Sequence, residues 1–273
     1  MKLGMKVRKH DLEDILKFEP KILEFHFSDS DLKLTLDKKY DQNLIVHCFE
    51  YWDKKLVDLA CINETNQIHS RKKSIELVQS AVEKTIELNQ HFKGIPSLIV
   101  HPGGYTINEV TSNERKIMLQ NIINAVSEID SKGVNLLLEN MPPYAWFFGG
   151  RWICNIFLNS DELKEYRLKT KNRICFDLCH SQLYCNKVRI SIIDELKQVE
   201  EFTDHYHISD ADGVEEEGLQ FGEGSMDFKK IIPILNKYTD KSFAIEVWRG
   251  HENKGKGFKQ FLDAVKKEGM IVS

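Results

Sequence analysis

Residues 97–139 read SLIVHPGGYTINEVTSNERKIMLQNIINAVSEIDSKGVNLLLE. The segment opens on a short apolar run, SLIVH (97–101), and closes on another, VNLLLE (134–139). From Glu109 to Asp130 the apolar residues recur at three- and four-residue spacing, the period of an amphipathic helix. Gly133 lies just before the second run, where a helix-ending residue belongs. Both runs are nearly continuously apolar, as expected of strands buried on both faces. The segment is therefore a strand–helix–strand unit of a parallel α/β fold.

The same unit repeats outward in both directions. Eight strand-like runs occur, at 3–7, 22–27, 43–48, 97–101, 134–139, 173–177, 204–208 and 242–247. Helical spacing fills Asn66–Phe92 and, more briefly, 160–170, 189–202, 227–237 and 256–267. Gly94 and Asp240 mark further helix-to-strand boundaries. Eight alternating units predict a single (β/α)8 barrel, one domain spanning residues 1–273. A length of 273 residues would allow two domains at roughly 150 each, but such barrels run to about 250 residues as one unit. An open nucleotide-binding sheet is disfavoured, because no G-x-G-x-x-G follows the first strand and no P-loop occurs. The most irregular stretch, NMPPYAWFFGGRW (140–152), is aromatic and Gly/Pro-rich, and reads as a long loop after the fifth strand.

Composition narrows the class further. Hydrophobic residues make up 41% and charged residues 29%, ordinary for a globular chain. The 38 basic and 42 acidic residues leave a net charge of −4, which argues against a surface that grips nucleic acid everywhere. No apolar run approaches the roughly 18 residues of a membrane span. The opening MKLGMKVRKHDLEDILKF turns charged too soon for a signal peptide, so a cytoplasmic protein is expected. Six cysteines without a C-x-x-C pair read as reduced, buried thiols.

The strand ends carry the chemistry. His47 lies near the end of the third run, His101 ends the fourth, Glu139 the fifth and Asp177 the sixth. His207 and Glu246 stand near the ends of the seventh and eighth. In a barrel these positions converge on one mouth, the face where active sites sit. All six are metal-ligating types, and a carboxylate at a buried mouth is costly without a cation beside it. A divalent ion, Zn2+ or Mn2+, is therefore expected, as one or two ions. His180, three residues after Asp177, is placed on the sixth βα loop as a ligand or a substrate-facing acid/base. His26 is a candidate substrate contact, although its strand reads as partly exposed at Glu24 and His26. Trp146 in the aromatic loop is a further candidate substrate contact. His10, His69, His91 and His205 read as surface residues.

The phrases LIVHCFEYWDKKLVDLA, LIVHPGG, LLLENM, ICFDLCH, HYHISDAD, LQFGEGSMDF and FAIEVW resemble the xylose-isomerase-like (β/α)8 barrel superfamily over about residues 43–265. That group includes endonuclease IV (AP endonuclease family 2) and many sugar isomerases and epimerases. The resemblance to endonuclease IV implies one metal site of His47, His101 and Glu139. Glu139 then bridges to a second site completed by Asp177, His207 and Glu246. A third site in that family uses the position of His180 with an Asp-x-His pair, where this chain has Glu216 and Gly218. The resemblance to the epimerases implies one metal on Glu139, Asp177, His207 and Glu246, the two glutamates also acting as acid/base pair. Those epimerases carry a further glutamate where this chain has Ala145.

Two reactions fit. A metal polarises a sugar carbonyl while Glu139 and Glu246 exchange a proton, giving isomerisation or epimerisation. Alternatively, two metals activate a water that attacks a phosphodiester of abasic-site DNA. The complete His47/His101/Glu139 set favours the second. The degraded third site, the negative net charge and Glu50 beside His47 favour a small carbohydrate over nucleic acid. Arg249, His251, Lys254 and Lys256 cluster after the eighth strand, where barrels often hold phosphate. An anionic sugar anchored by Arg249 and Lys254 is therefore expected. Whether the chain forms a homo-oligomer is left open.

Overall fold

In the computed structural model, which describes residues 1–62 and 70–273, eight parallel strands close on themselves. The expected helix start at Asn66 and the surface reading of His69 lie outside the described residues. The strands are β1 (Lys2–Val7), β2 (Ile22–His26), β3 (Asn43–His47), β4 (Lys93–Val100), β5 (Asn135–Glu139), β6 (Ile174–Asp177), β7 (Thr203–Ile208) and β8 (Ser242–Ile245). Each pairs with its sequence neighbour, and β8 returns to β1 with Ser242 opposite Lys2 and Ala244 opposite Gly4. This is the expected (β/α)8 barrel. The helices are α1 (Leu12–Ile15), α2 (Arg71–Asn89), α3 (Ser112–Glu128), α4 (Ser160–Thr170), α5 (Leu178–Val188), α6 (Ile192–Val199), α7 (Phe228–Leu235) and α8 (Glu252–Lys267). A short 3-10 turn, Asp29–Lys33, follows β2 where a helix would otherwise stand.

Strand parity separates two interiors. Side chains alternate across a strand with period two. Leu23, Val46, Leu98, Leu138, Phe176 and Phe243 belong to the main core that the helices also join. Ile22, Ile45, Ile99, Leu137 and Cys175 have the other parity and form a separate cluster, an apolar floor inside the barrel. Two residues further along the same strands stand Glu24, His47, His101, Glu139 and Asp177. The barrel thus carries a polar layer on an apolar floor. Register levels the layer: His26 pairs with His47, and Asp177 with His207.

Four local expectations change. First, β4 begins at Lys93 and takes in Gly94, through a register irregularity opposite Asn43 and Ile45. Second, residues 178–188 form α5, with Asp177 as N-cap accepting from His180 N at 2.7 Å. Its first two turns are buried nearly all round, so no amphipathic stripe announces them. Third, residues 144–154 are no irregular loop. Tyr144–Phe147 and Gly150–Cys154 form an antiparallel hairpin that also pairs with Tyr105–Thr106. Its two-residue turn, Phe148–Gly149, has φ of 54° and 78°, as a type I′ turn requires. Fourth, α6 is shorter than the expected 189–202. In α8, left-handed residues Asn253, Lys254 and Gly255 set the regular helix to begin after them, near the expected 256.

Candidate metal centre

Strand ends β3 to β8 bring the six expected residues together. Glu139, wholly buried, is the hub. Its Oε2 lies 3.1 Å from His47 Nε2 and 3.2 Å from His101 Nε2, and its Oε1 lies 2.8 Å from His207 Nδ1. His207 Nδ1 is also 2.8 Å from Glu246 Oε2 and 3.8 Å from Asp177 Oδ2. One ligand atom from each of Glu139, Asp177, His207 and Glu246 lies within 4.8 Å of the others, as do the sets His47/Glu139/His207 and His101/Glu139/His180. Asn140 clamps the β5 and β6 ends together. Its amide donates to Asp177 O at 2.9 Å and accepts from Asp177 N at 2.7 Å.

Electrostatics follow from this crowding. Burial alone would raise the Glu139 carboxyl, but His207 and His101 hold it well below the usual carboxylate range. Burial would lower His207, yet the carboxylates of Glu139, Glu24 and Glu246 keep it well above its ordinary value. Burial raises Asp177; His180 and His207 oppose the rise, and the neighbouring Glu246 and Glu139 add to it. His180 is pushed up to about 9, because Asp177, Glu139 and Glu217 overcome its burial. His101 Nε2 and Glu246 Oε2 are buried, and although Glu139 Oε2 and His207 Nδ1 lie 3.2 and 2.8 Å from them, neither contact has hydrogen-bond geometry. Ligand-type atoms held this close in a cluster of carboxylates and imidazoles fit a divalent cation, which would satisfy both.

A cavity of about 690 Å³ opens above the cluster. His101, Asp177, His180 and Glu246 line its floor, and Tyr105 and Phe147 its wall. Trp146, 62% exposed on the hairpin, lines it as well, as does His26, whose ring stacks on His47 at 4.5 Å. Glu50, Glu215, Glu216 and Glu217 make the rim acidic, and Arg8 is the one arginine or lysine lining it among the described residues.

Several residues stand differently from expectation. Arg249 is 66% exposed, pairs with Glu252 at 2.6 Å and lines an adjoining cavity of about 330 Å³ that shares Arg8, His26, Glu246 and Trp248 with the larger one. Lys254 is exposed and lines neither cavity; its charge acts on Asp14 instead. The backbone is left-handed at Asn253, Lys254 and Gly255, so this basic stretch is not a regular first helical turn. His180 stands on the first turn of α5, not on a loop. Glu217, rather than Glu216, approaches it, with Oε2 3.8 Å from Nε2. Glu24 is fully buried, not partly exposed, and His205 is buried rather than a surface residue. Lys6, Glu24, Asn140 and His205 were missed, although period-two counting puts Glu24 two residues past Ile22 of the floor, His205 two before His207, and Lys6 out of phase with the outward core residues Leu3, Met5 and Val7.

A closed eight-stranded barrel with metal-capable side chains gathered at its C-terminal mouth defines the structural class. The chain belongs to the xylose isomerase-like TIM barrel family, whose match spans residues 18–268. The structure is similar to that of a D-tagatose 3-epimerase-like protein, with a TM-score of 0.67, 23% identity and coverage of 98% of this chain and 99% of that one. It is also similar to endonuclease IV from Thermus thermophilus, with a TM-score of 0.64, 16% identity and coverage of 98% and 100%. Among curated proteins it is 26% identical over 211 residues to the uncharacterized protein MJ1311 of Methanocaldococcus jannaschii, covering 75% of this chain. The aligned region spans 64% of the length of that relative. Among the described residues no helix is long and apolar enough to cross a membrane.

Proposed function

We propose that the protein is a metal-dependent isomerase or epimerase of a small, uncharged sugar. The observation that carries this reading is the Glu139/Asp177/His207/Glu246 quartet set beneath a cavity of about 690 Å³ walled by aromatic side chains. That size suits a small ligand, and aromatic walls suit the apolar faces of a sugar ring. The quartet would hold one Zn2+ or Mn2+ ion, and His47 and His101 would offer a second place beside Glu139. When bound, such an ion polarises a carbonyl and stabilises the negative charge that forms when an adjacent C–H proton leaves. Glu246 is 30% exposed and lines the cavity, which supports it as the carboxylate that moves that proton. Glu139 lies wholly beneath the cavity, so its part is that of a ligand and hub. His180 donates from Nδ1 to Asn140 O at 2.9 Å, which leaves Nε2 on the cavity side beside Glu217.

The acidic rim favours an uncharged substrate over the anionic one suggested by the basic loop after β8, and it disfavours a phosphodiester backbone. The test is a panel of ketoses and aldoses incubated with the metal-replete protein in D2O. Deuterium is expected at the carbon beside the carbonyl of one product pair, with phosphorylated analogues turned over more slowly. Glu246→Gln should lower turnover about 10²–10⁴-fold while the fold survives, and Glu139→Gln should abolish it by weakening metal binding. Cleavage of abasic-site DNA without any sugar exchange would overturn the proposal.

A further inference from the structure

The polar layer continues below the mouth. Glu24, wholly buried on β2, lies against His207 on the side away from the quartet. His207 Nε2 is 3.0 Å from Glu24 Oε1 and 3.2 Å from Oε2. His205 Nε2 is 3.0 Å from Glu24 Oε2, and His205 Nδ1 is 2.7 Å from Ser242 Oγ. Lys6 Nζ stands 3.6 Å from Glu24 Oε1 and also donates to Glu246. An ionised carboxylate only accepts, so both histidines must present N–H at Nε2. His205 can then accept the Ser242 hydroxyl proton at Nδ1. With His207 Nε2 committed to Glu24, Nδ1 is the nitrogen left for Glu139, Glu246 and Asp177. Glu24 and His205 have almost no exposed surface, so neither can touch a substrate. Burying this many charges is costly, which makes the network poor as a device for stability alone.

We propose that Glu24 is a positioning residue: it turns His207 Nδ1 toward the quartet and would hold the ring as the Nε2–H form when a metal takes the place of the Nδ1 proton, while His205 and Lys6 hold Glu24 in place. The inference rests on reading the mouth as a metal centre, and it extends that reading to a carboxylate–histidine–metal chain. Removing such an outer carboxylate typically weakens metal binding about 10–100-fold.

The experiment titrates wild type and Glu24→Gln with Zn2+ alone by calorimetry, beside thermal unfolding of each. The glutamine amide must offer an N–H where at least one histidine needs an acceptor. The variant is expected to bind Zn2+ about 10–100-fold more weakly and still unfold cooperatively. Equal affinity in the two proteins would overturn the positioning role and leave the metal centre standing. A wild type that binds neither Zn2+ nor Mn2+ would overturn the metal centre itself, and this inference with it. Nitrogen-15 NMR of the Zn2+-loaded wild type decides the matter even if the variant does not fold. The remaining ring proton of His207 is expected on Nε2, and a proton found on Nδ1 sinks the proposal.

Discussion

Lys241 lies at the end of the barrel opposite the mouth, one residue before β8, and its burial has a thermodynamic signature. Its ammonium donates to Glu200 O and sits 3.7 Å from the centre of the Tyr238 ring. Burial, with Arg173 nearby, pushes its pKa down to about 8. In the unfolded chain a lysine titrates near its ordinary value of about 10.4. Between those two values the unfolded chain binds a proton that the folded chain lacks, so this residue's contribution to stability rises with pH across that window. Below pH 8 both states are charged, and the folded state bears the full burial penalty. Lys241→Met removes the titration. Urea unfolding of both proteins at pH 7.5 and 9.5 should show wild type gaining relative to the variant at the higher pH. A pH-independent difference would mean that the ammonium is not perturbed.

Between β4 and α3, the HPGG turn delivers His101 to the mouth, and its glycines are required by geometry. Gly103 and Gly104 have φ of 89° and 87°. A Cβ on Gly103 would lie 2.3 Å from Asp58 Oδ1 and 2.6 Å from Asp58 Cα. The same Asp58 oxygen accepts from Gly104 N at 2.7 Å, so the aspartate has little room to withdraw. Gly103→Ala should therefore cost about 2–3 kcal/mol in denaturant unfolding, through left-handed strain plus a backbone clash. It should also weaken Zn2+ binding by displacing His101; an unchanged midpoint would show that the turn can yield. Elements of this kind divide by how local their cause is. Barrel strands were readable because apolar runs and a closing His, Glu or Asp lie within five or six residues. The hairpin at 144–154 was not, because its turn uses Phe148–Gly149 in place of an Asn-Gly or Asp-Gly pair, hidden among aromatics. Helix α5 was not, because Cys179, His180, Ser181 and Gln182 are all buried and leave no polar face to set a period.

Across the whole molecule, closure of the barrel makes contacts that no local pattern reports. Glu24 meets His205 across 181 residues of sequence, and Lys6 meets Glu246 across 240. The mouth was legible as six strand-end residues, whereas the layer below it needed the closed register. Closure also settles the fate of the thiols, which the sequence reads as buried. Cys48, Cys154, Cys175, Cys179 and Cys185 are all buried, and burial raises every one of their pKa values, that of Cys185 to about 12. In the unfolded chain a thiol ionises near about 8.5. A folded pKa above the unfolded one gives stability that is complete below the unfolded value and is lost as pH rises beyond it. The thiols therefore oppose Lys241 in sign, and they are five against one. Net stability should fall between about pH 8.5 and 10, even though Lys241 alone would raise it. Peptide mapping after a brief exposure to a thiol reagent at pH 8 should find these five cysteines unmodified in the folded protein and modified in urea. Urea midpoints measured from pH 8 to 10 should decline across the same range. Rapid labelling of any of the five in the folded protein, or a midpoint that climbs with pH, would mean that the barrel does not keep its thiols from water.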